Sequence, residues 1–179
     1  MGEAVLDVLM LEERVILTLL DTHCNIRIFQ GDMVAIYGAY NELVMPAGIG
    51  VVRELSPGLH RIKVMRILRK EAKNLGFLEA PDKARQVRVA LGLPNIRASN
   101  LSGVQKALLS VGCTMAQGHT VMVTENFAAG LSPEAYIQVT KIIKELIQQK
   151  KIIAFISISR EQYFFDHFEK SYPHIRIGG

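Results

Sequence analysis

The residues that could do chemistry are concentrated in the second half of the chain, beginning with Leu101-Ser102-Gly103-Val104-Gln105. Ser102 and Gln105 have the S-x-x-Q spacing of a capping box, which predicts that a helix begins here and runs to Ala116. A helix N-terminus carries unpaired N–H groups and a partial positive charge, so it can also bind a phosphate. Gly103 favours this second role, because a cap needs no glycine whereas close approach of a phosphate does. For Ser102 and Gln105 alone, both interpretations stay open.

A second group of candidates follows, where an apolar strand predicted for Thr120 to Thr124 leads into Glu125. A carboxylate in this place can be a general base, but it can equally be an ordinary turn or helix-terminus residue. Ser132-Pro133-Glu134 then predicts a helix start, since serine is a favoured N-cap and proline suits the first helical position. The spacing of apolar residues extends this helix to about Gln149.

These elements, in this order, resemble the second half of an ATP-binding cassette (ABC) ATPase domain. The resemblance consists of the Leu-Ser-Gly-x-Gln helix start, the strand that ends in an acid, and the Gly-Leu-x-Pro helix start at residues 130–133. A further apolar strand at residues 151–159 continues the pattern. The resemblance implies an α/β fold of the P-loop NTPase-like ABC type, with a mostly parallel, helix-flanked sheet and a β-rich N-terminal flank. Inter-subunit ATP binding is also implied, because members of this family bind ATP between the phosphate loop of one subunit and the signature motif of the other.

The family's phosphate loop follows a buried strand, predicted here for Met33 to Gly38. The loop has the form G-x-x-x-x-G-K-[ST], in which backbone N–H groups and lysine hold the phosphates and a hydroxyl holds Mg²⁺. Leu43 replaces the second glycine, Val44 replaces the lysine, and Met45 replaces the hydroxyl residue. A triphosphate without a cation is poorly held, because buried charge must be compensated. We therefore expect a degenerate phosphate loop formed by Gly38, Asn41, Leu43, Val44 and Met45.

The other positions that the resemblance assigns to nucleotide chemistry are changed as well. Ala80 stands at the glutamine position, after a strand predicted for Gly76 to Ala80. Thr124 stands where an aspartate would bind Mg²⁺, and Glu125 stands at the position of the general base. Without metal or nucleotide on its own side Glu125 has nothing to activate, so we expect no catalytic residue and no metal site. Two further replacements are Ser132 for the aspartate that communicates between subunits and Ile158 for the switch histidine.

The remaining pattern predicts a single domain spanning residues 1–179. Three strands are expected in the N-terminal flank, at Val5 to Leu11, Arg14 to Leu20 and around Ile26 to Ile28. A helix is expected after the phosphate loop, although Gly48 and Gly50 weaken it. A strand is expected at residues 61–64, and one short helix, Asp82 to Leu91, within a shortened helical subdomain at about residues 81–100. The pattern at the end of the chain predicts a helix at residues 160–171 and a last strand at His174 to Ile177.

Composition and charge limit the possible functions. No apolar run reaches the roughly 18 residues that cross a bilayer, and the charged residues of the first 20 positions exclude a signal peptide. Two cysteines without a metal-type spacing fit a reducing cytoplasm. Residues 61–88 contain nine Lys or Arg and three Asp or Glu. This excess indicates either a solvated face or a docking surface for an acidic partner, a phospholipid or a nucleic acid.

The leading hypothesis is a degenerate ABC subunit that does not hydrolyse ATP itself. It would bind no cofactor alone, but it would share Mg-ATP with a partner by completing that partner's site through Ser102, Gly103 and Gln105. The implied partners are an active ABC ATPase subunit, a second copy of the chain, and a membrane permease. The implied location is the cytoplasm, either free or at the inner face of a membrane through that permease. The alternatives are a structural or regulatory interaction module and, least favoured, a basic nucleic-acid or anionic-surface binder.

Overall fold

A computed structural model describes residues 4–7, 15–21, 24–38, 43–44, 48–76, 78–125, 130–159 and 174–177. Two sheets and four α-helices make up this part of the chain. The helix predicted at residues 160–171 lies outside the described residues. The strand predicted at His174–Ile177 is confirmed.

The first sheet contains the N-terminal strands, in the order β3-β2-β1-β5. Its members are β1 (Ala4–Asp7), β2 (Val15–Asp21), β3 (Cys24–Phe29) and β5 (Leu43–Val44). β2 pairs antiparallel with both β1 and β3, whereas β5 lies parallel to β1. The predicted β-rich N-terminal flank is thus confirmed for the described residues.

The second sheet is parallel throughout and has the order β6-β7-β8-β4-β9. Its strands are β4 (Met33–Gly38), β6 (Gly50–Val52), β7 (Val121–Glu125), β8 (Ala154–Ser159) and β9 (His174–Ile177). In the neighbouring strands β7 and β8, Met122, Phe155 and Ile156 are buried. Near-continuous apolar runs of this kind are typical of parallel strands that are covered on both faces. The predicted mostly parallel sheet is therefore confirmed.

The helices are α1 (Val64–Glu71), α2 (Ala80–Ala90), α3 (Gly103–Ala116) and α4 (Pro133–Gln148). The starts of α3 and α4 agree with the predicted N-caps Ser102 and Ser132, whose hydroxyls accept hydrogen bonds from the backbone N–H groups of Gln105 and Ala135. At the start of α4 the pKa of Glu134 is lowered by a hydrogen bond from its own backbone N–H and by one from Ser132. Both helix starts are therefore stabilised by local side-chain interactions.

Three of the predicted elements are wrong. The strand expected at residues 61–64 is absent, because residues 61–63 form a turn and an isolated bridge and α1 begins at Val64. In α1, Val64, Ile67 and Leu68 are buried at the i, i+3, i+4 spacing of a helix. The strand expected to end at Ala80 is absent, since Gly76 has φ +100° and Ala80 begins α2. The helix expected after the phosphate loop is replaced, in the described residues from 48 onward, by a turn at Gly48 and the strand β6.

The helical part of the molecule is larger than the predicted segment at residues 81–100, because α1 belongs to it. α1 and α2 pack on each other and on α3 around a core that includes Leu68, Val87 and Leu109. α3 approaches the end of α2 closely at Gly112, where a Cβ atom would lie 2.8 Å from Leu91 Cδ1. The number of domains stays a prediction. Among the helices of the described residues, none is long and apolar enough to span a bilayer.

Candidate functional site

A cavity of about 420 Å³ lies where β6 and β7 reach their carboxyl ends, beside the first half of α3. In parallel α/β sheets this edge is the usual place for a ligand. The residues that follow β6 and the last two residues of β7 form one side of the cavity. α3 forms the other side with a single face of the helix. The lining residues are Val52, Arg53, Glu54, Leu55, Pro57, His60, Gly103, Lys106, Ala107, Ser110, Thr124, Glu125, Gly130 and Leu131.

The cavity combines charged groups of both signs with apolar walls. Arg53 and Lys106 supply cations, and Glu54 and Glu125 supply carboxylates. Ser110 has a partner within its own helix, because its hydroxyl donates to the carbonyl of Lys106 at 3.4 Å. In the described part of the chain, no group of three or more His, Cys, Asp or Glu residues could hold a metal ion.

The N-terminus of α3 has the capping box that the sequence predicts. The Gln105 N–H donates to Ser102 Oγ at 3.2 Å, and the Ser102 N–H donates to Gln105 Oε1 at 3.1 Å. Ser102 is exposed, and its hydroxyl oxygen acts here as an acceptor, so its hydroxyl hydrogen can still be donated. The residue therefore serves as a cap and keeps a hydroxyl hydrogen that it can donate.

Gly103 has a packing role that the sequence did not reveal. A Cβ atom at this position would lie 2.8 Å from Leu131 Cδ2, so a side chain there would displace Leu131. Close approach of a phosphate is therefore not the only reason for a glycine at position 103. The contact joins the start of α3 to the segment that precedes α4.

The structure brings only some of the predicted site residues together. Gly103, Thr124 and Glu125 line the same cavity, and Thr124 is buried at the end of β7. Ser102 and Gln105 lie next to Gly103 but are not part of the cavity wall. Ile158, at the expected switch position, pairs with Glu125 in the register of β7 and β8 and is buried.

The segment expected to be a degenerate phosphate loop is divided between the two sheets. Gly38 ends β4 in the parallel sheet, whereas Leu43 and Val44 form β5 and pair with Ala4 and Val5 in the N-terminal sheet. Two residues that were expected in a loop are therefore strand residues, held by the hydrogen bonds of a different sheet. Asn41 and Met45 lie outside the described residues.

The strand expected before Ala80 is not among the strands of the parallel sheet in the described residues. The strand that flanks β7 on the side away from β8 is β6, so the chain that enters the cavity beside Glu125 is the segment after Val52. Ala80 lies in α2 instead and is buried. Sequence reasoning missed Arg53, Glu54 and Lys106. The short apolar run Gly50–Val52 was the available signal, but its glycines indicated a weak helix.

Comparison with known proteins supports the fold. No protein-family model matches the sequence, and no curated protein matches it significantly. Solved structures do match. The nucleotide-free ATP-binding cassette of an ABC transporter aligns with TM-score 0.60 and 17% identity over 87% of this chain and 83% of its own length.

Two further structures match with TM-score 0.64. CbiO1 from Clostridium perfringens, part of the ABC transporter complex CbiONQ, is 16% identical over 89% of this chain and 80% of its own length. An inward-facing ABC transporter described as of the metal-chelate type is 15% identical over 83% of this chain and 69% of its own length. The chain thus has the α/β, P-loop NTPase-like fold of ATP-binding cassette domains, as the sequence predicts.

Proposed function

We propose that this chain is a subunit of an ABC-type complex that does not hydrolyse ATP itself and completes the ATP site of a partner subunit. The observation that carries the proposal is the start of α3, where the exposed Ser102 is the N-cap of a 14-residue helix. Such a helix start suits a phosphate that another chain presents. The partner would be an active ABC ATPase subunit, and Mg-ATP would be shared between the two.

The residues of this chain at the positions that bind the nucleotide within one subunit support the proposal. Val44 supplies no cation, and its pairing with Val5 holds its backbone in a strand rather than around a phosphate. Thr124 is buried at the end of β7 and has no carboxylate for Mg²⁺. Ile158 cannot donate a hydrogen bond to a phosphate oxygen. Since these groups normally compensate the charge of the nucleotide, the chain alone would leave that charge unpaired.

The fold neighbours support an assembly role. The matching proteins include a part of the CbiONQ transporter complex and a chain of an inward-facing ABC transporter. By analogy, the assembly would include the active subunit and a membrane permease, and it would place this chain at the cytoplasmic face of a membrane. A second copy of the chain is a weaker choice of partner, because it would lack the same cation.

The test separates the cap of Ser102 from its contact with phosphate. Ser102→Thr keeps both the cap and the hydroxyl donor, whereas Ser102→Asp keeps the cap and adds a negative charge where the γ-phosphate would lie. Tagged variants are used to isolate the complex from the native host, with and without Mg-ATP. We expect an intact ABC subunit with the G-x-x-x-x-G-K-[ST] loop to be recovered only with Mg-ATP. Wild type and Ser102→Thr should recover this subunit, whereas Ser102→Asp should recover at least tenfold less of it.

Equal recovery with all three proteins, or recovery that does not depend on Mg-ATP, would contradict the proposal. Equal thermal unfolding midpoints of the three chains would show that the fold is unchanged. Ser102→Arg, which lacks the cap, serves as a second variant and should also fail to recover the partner.

A structural interaction module is the second candidate function, and two observations favour it. The capping box is complete, and Leu131 explains Gly103 by packing. The whole motif then has a structural explanation without any nucleotide. In that case the chain would recover its partner equally well with Ser102→Thr and Ser102→Asp, and Mg-ATP would make no difference.

A further inference from the structure

The cations of α1 and α2 are gathered around one groove rather than spread over a solvated face. A hollow of about 620 Å³, called here the basic groove, is lined by Lys63, Met65, Arg66, Arg69, Arg85, Arg88 and Asn95. On each helix two arginines stand three residues apart and therefore face the same side. A second hollow of about 400 Å³ also contains Arg66 and Arg69 and continues to Lys70 and Lys73. The positive surface therefore extends around the exposed side of α1.

The groove is held in shape by hydrogen bonds to backbone groups at one of its ends. The Val64 N–H donates to the carbonyl of Ile96 at 3.0 Å, and the Met65 N–H donates to Asn95 Oδ1 at 3.2 Å. Arg88 Nη1 donates to the carbonyl of Leu93 at 2.9 Å, which fixes this guanidinium at the rim. A partner therefore meets a groove that is already formed, and less conformational entropy is lost on binding.

None of the seven residues that line the groove is acidic, so the lining itself does not compensate the charge of the groove. Arg85 forms an ion pair with Asp82 at 3.6 Å, but their side chains are 66% and 70% exposed. Such exposed pairs contribute little, so Arg85 can exchange Asp82 for another carboxylate. Four of the five lining cations are arginines, whose planar guanidinium groups match a carboxylate with two parallel hydrogen bonds.

Apolar side chains beside the groove indicate what kind of anion it takes. Val89, one turn after Arg85, is 65% exposed, and Ile96, which follows Asn95, is 39% exposed. None of the seven lining residues is aromatic, so the groove offers no platform for stacking bases. Because the groove is concave, a flat bilayer would touch only its rims. Carboxylates and apolar side chains on one segment match both the arginines and the exposed apolar side chains, whereas phosphates match the arginines alone.

We propose that the basic groove docks an acidic, amphipathic segment of a partner protein. Glutamate or aspartate side chains of that segment pair with the arginines of α1 and α2, and its apolar side chains cover Met65, Val89 and Ile96. The proposal concerns a different face from the start of α3 and needs neither ATP nor Ser102. Failure of this proposal would therefore leave the proposed function intact. Failure of the proposed function would likewise leave this proposal intact.

The experiment uses a synthetic amphipathic peptide with glutamates on one face and leucines on the other, titrated into the full chain. The same peptide with glutamine in place of glutamate is the comparison ligand. We expect the glutamate peptide to bind, the glutamine peptide to bind at least tenfold more weakly, and binding to weaken as salt is added. The double variant Arg69→Glu, Arg85→Glu should reduce the affinity at least tenfold. The matched control Lys141→Glu, Lys151→Glu makes the same change of charge on exposed residues outside the groove and should bind as wild type does.

Two further ligands test the other anions, a single-stranded DNA oligonucleotide and vesicles of mixed phosphatidylserine and phosphatidylcholine. Binding of either ligand more tightly than the glutamate peptide would overturn the proposal, as would no peptide binding or equal losses in both double variants. Should the charge-reversed protein unfold, Arg69→Gln, Arg85→Gln removes the two charges without reversing them and should still lose most of the affinity.

Discussion

At the scale of single residues, Cys113 shows how packing changes chemistry. It lies on α3 opposite α1, where Gln117 Nε2 donates to Glu71 Oε2 at 2.7 Å and fixes that carboxylate. Burial, followed by the charge of Glu71, raises the pKa of the Cys113 thiol from 9.0 to about 12. The thiol is therefore a small apolar group of the core rather than a nucleophile.

We expect Cys113 to react slowly with iodoacetamide at pH 8 in the folded chain. Because the thiolate is the reactive form, a pKa of about 12 instead of 9.0 lowers the rate on the order of a thousandfold. Mass spectrometry of the peptide that contains Cys113, from folded and guanidinium-unfolded protein, measures both rates. Glu71→Gln should increase the folded rate moderately, since it removes a charge that opposes ionisation. Similar rates for folded and unfolded chains would contradict this.

The same shift in pKa has a consequence for stability. The folded state keeps the thiol neutral, whereas the unfolded chain ionises it above pH 9.0. The contribution of the neutral thiol to the free energy of unfolding is therefore fully present below that pH and is lost as the pH rises towards 12.

At the scale of elements, the crossing of α3 over β6 positions the candidate site. A Cβ atom at Gly50 would contact the side chain of Thr114 and would lie 2.6 Å from His119 Cβ. Thr114 Oγ1 also donates to the carbonyl of Val51 at 3.4 Å, and His119 Nδ1 is 3.2 Å from the carbonyl of Gly48. The second half of α3 is thus anchored to β6, and its first half forms one wall of the cavity.

Gly50→Ala should destabilise the chain, because the added methyl group has no free space between β6 and α3. Overpacking of this kind costs about 1–3 kcal/mol, which urea unfolding measures as a lower midpoint. Gly58→Ala is the matched control, since a Cβ atom at Gly58 meets nothing within 4 Å. If the two variants unfold at the same urea concentration, the close crossing of α3 and β6 is wrong.

At the scale of the whole molecule, the chain has the fold of ATP-binding cassette domains, and the proposed function requires that it does not hold a nucleotide by itself. We expect the purified chain to show no increase in melting temperature with Mg-ATP, because a ligand stabilises only the state that it binds. Val44→Lys should not restore binding, since Val44 belongs to β5 in the N-terminal sheet. An increase in melting temperature of the wild-type chain with Mg-ATP would contradict both the prediction and the proposed function.

The elements with strong local signals were predictable from the sequence. The caps Ser102 and Ser132 each satisfy a backbone N–H within their own helix, so no distant contact is needed to identify them. The apolar runs of β4, β7 and β8 were also found, because a continuous apolar pattern is typical of parallel strands. The resemblance to the ABC family depended on these elements.

α1 and β6 were not predicted, because contacts with residues outside the segment decide their structure. The alternation of Arg61, Ile62, Lys63 and Val64 fits a strand over four residues, and only the packing of α1 on α2 and α3 selects the helix. Gly48 and Gly50 weaken any helix, but their location in a turn and a strand depends on α3, which is more than 50 positions away in the chain. The prediction of a strand at residues 76–80 was also wrong, because Ala80 begins α2.

The sequence by itself determined the class of fold and the helix start at Ser102, and it predicted that the cation and the metal ligands of the family are replaced. Only the tertiary structure decided that Arg53, Glu54, Lys106 and Glu125 share a cavity, that Leu43 and Val44 belong to a second sheet, and that the arginines of α1 and α2 form a groove. The physical reason is the distance along the chain over which each interaction acts. Caps and apolar periodicity act over a few neighbouring residues, whereas strand order and helix packing depend on contacts between residues that are far apart in the chain.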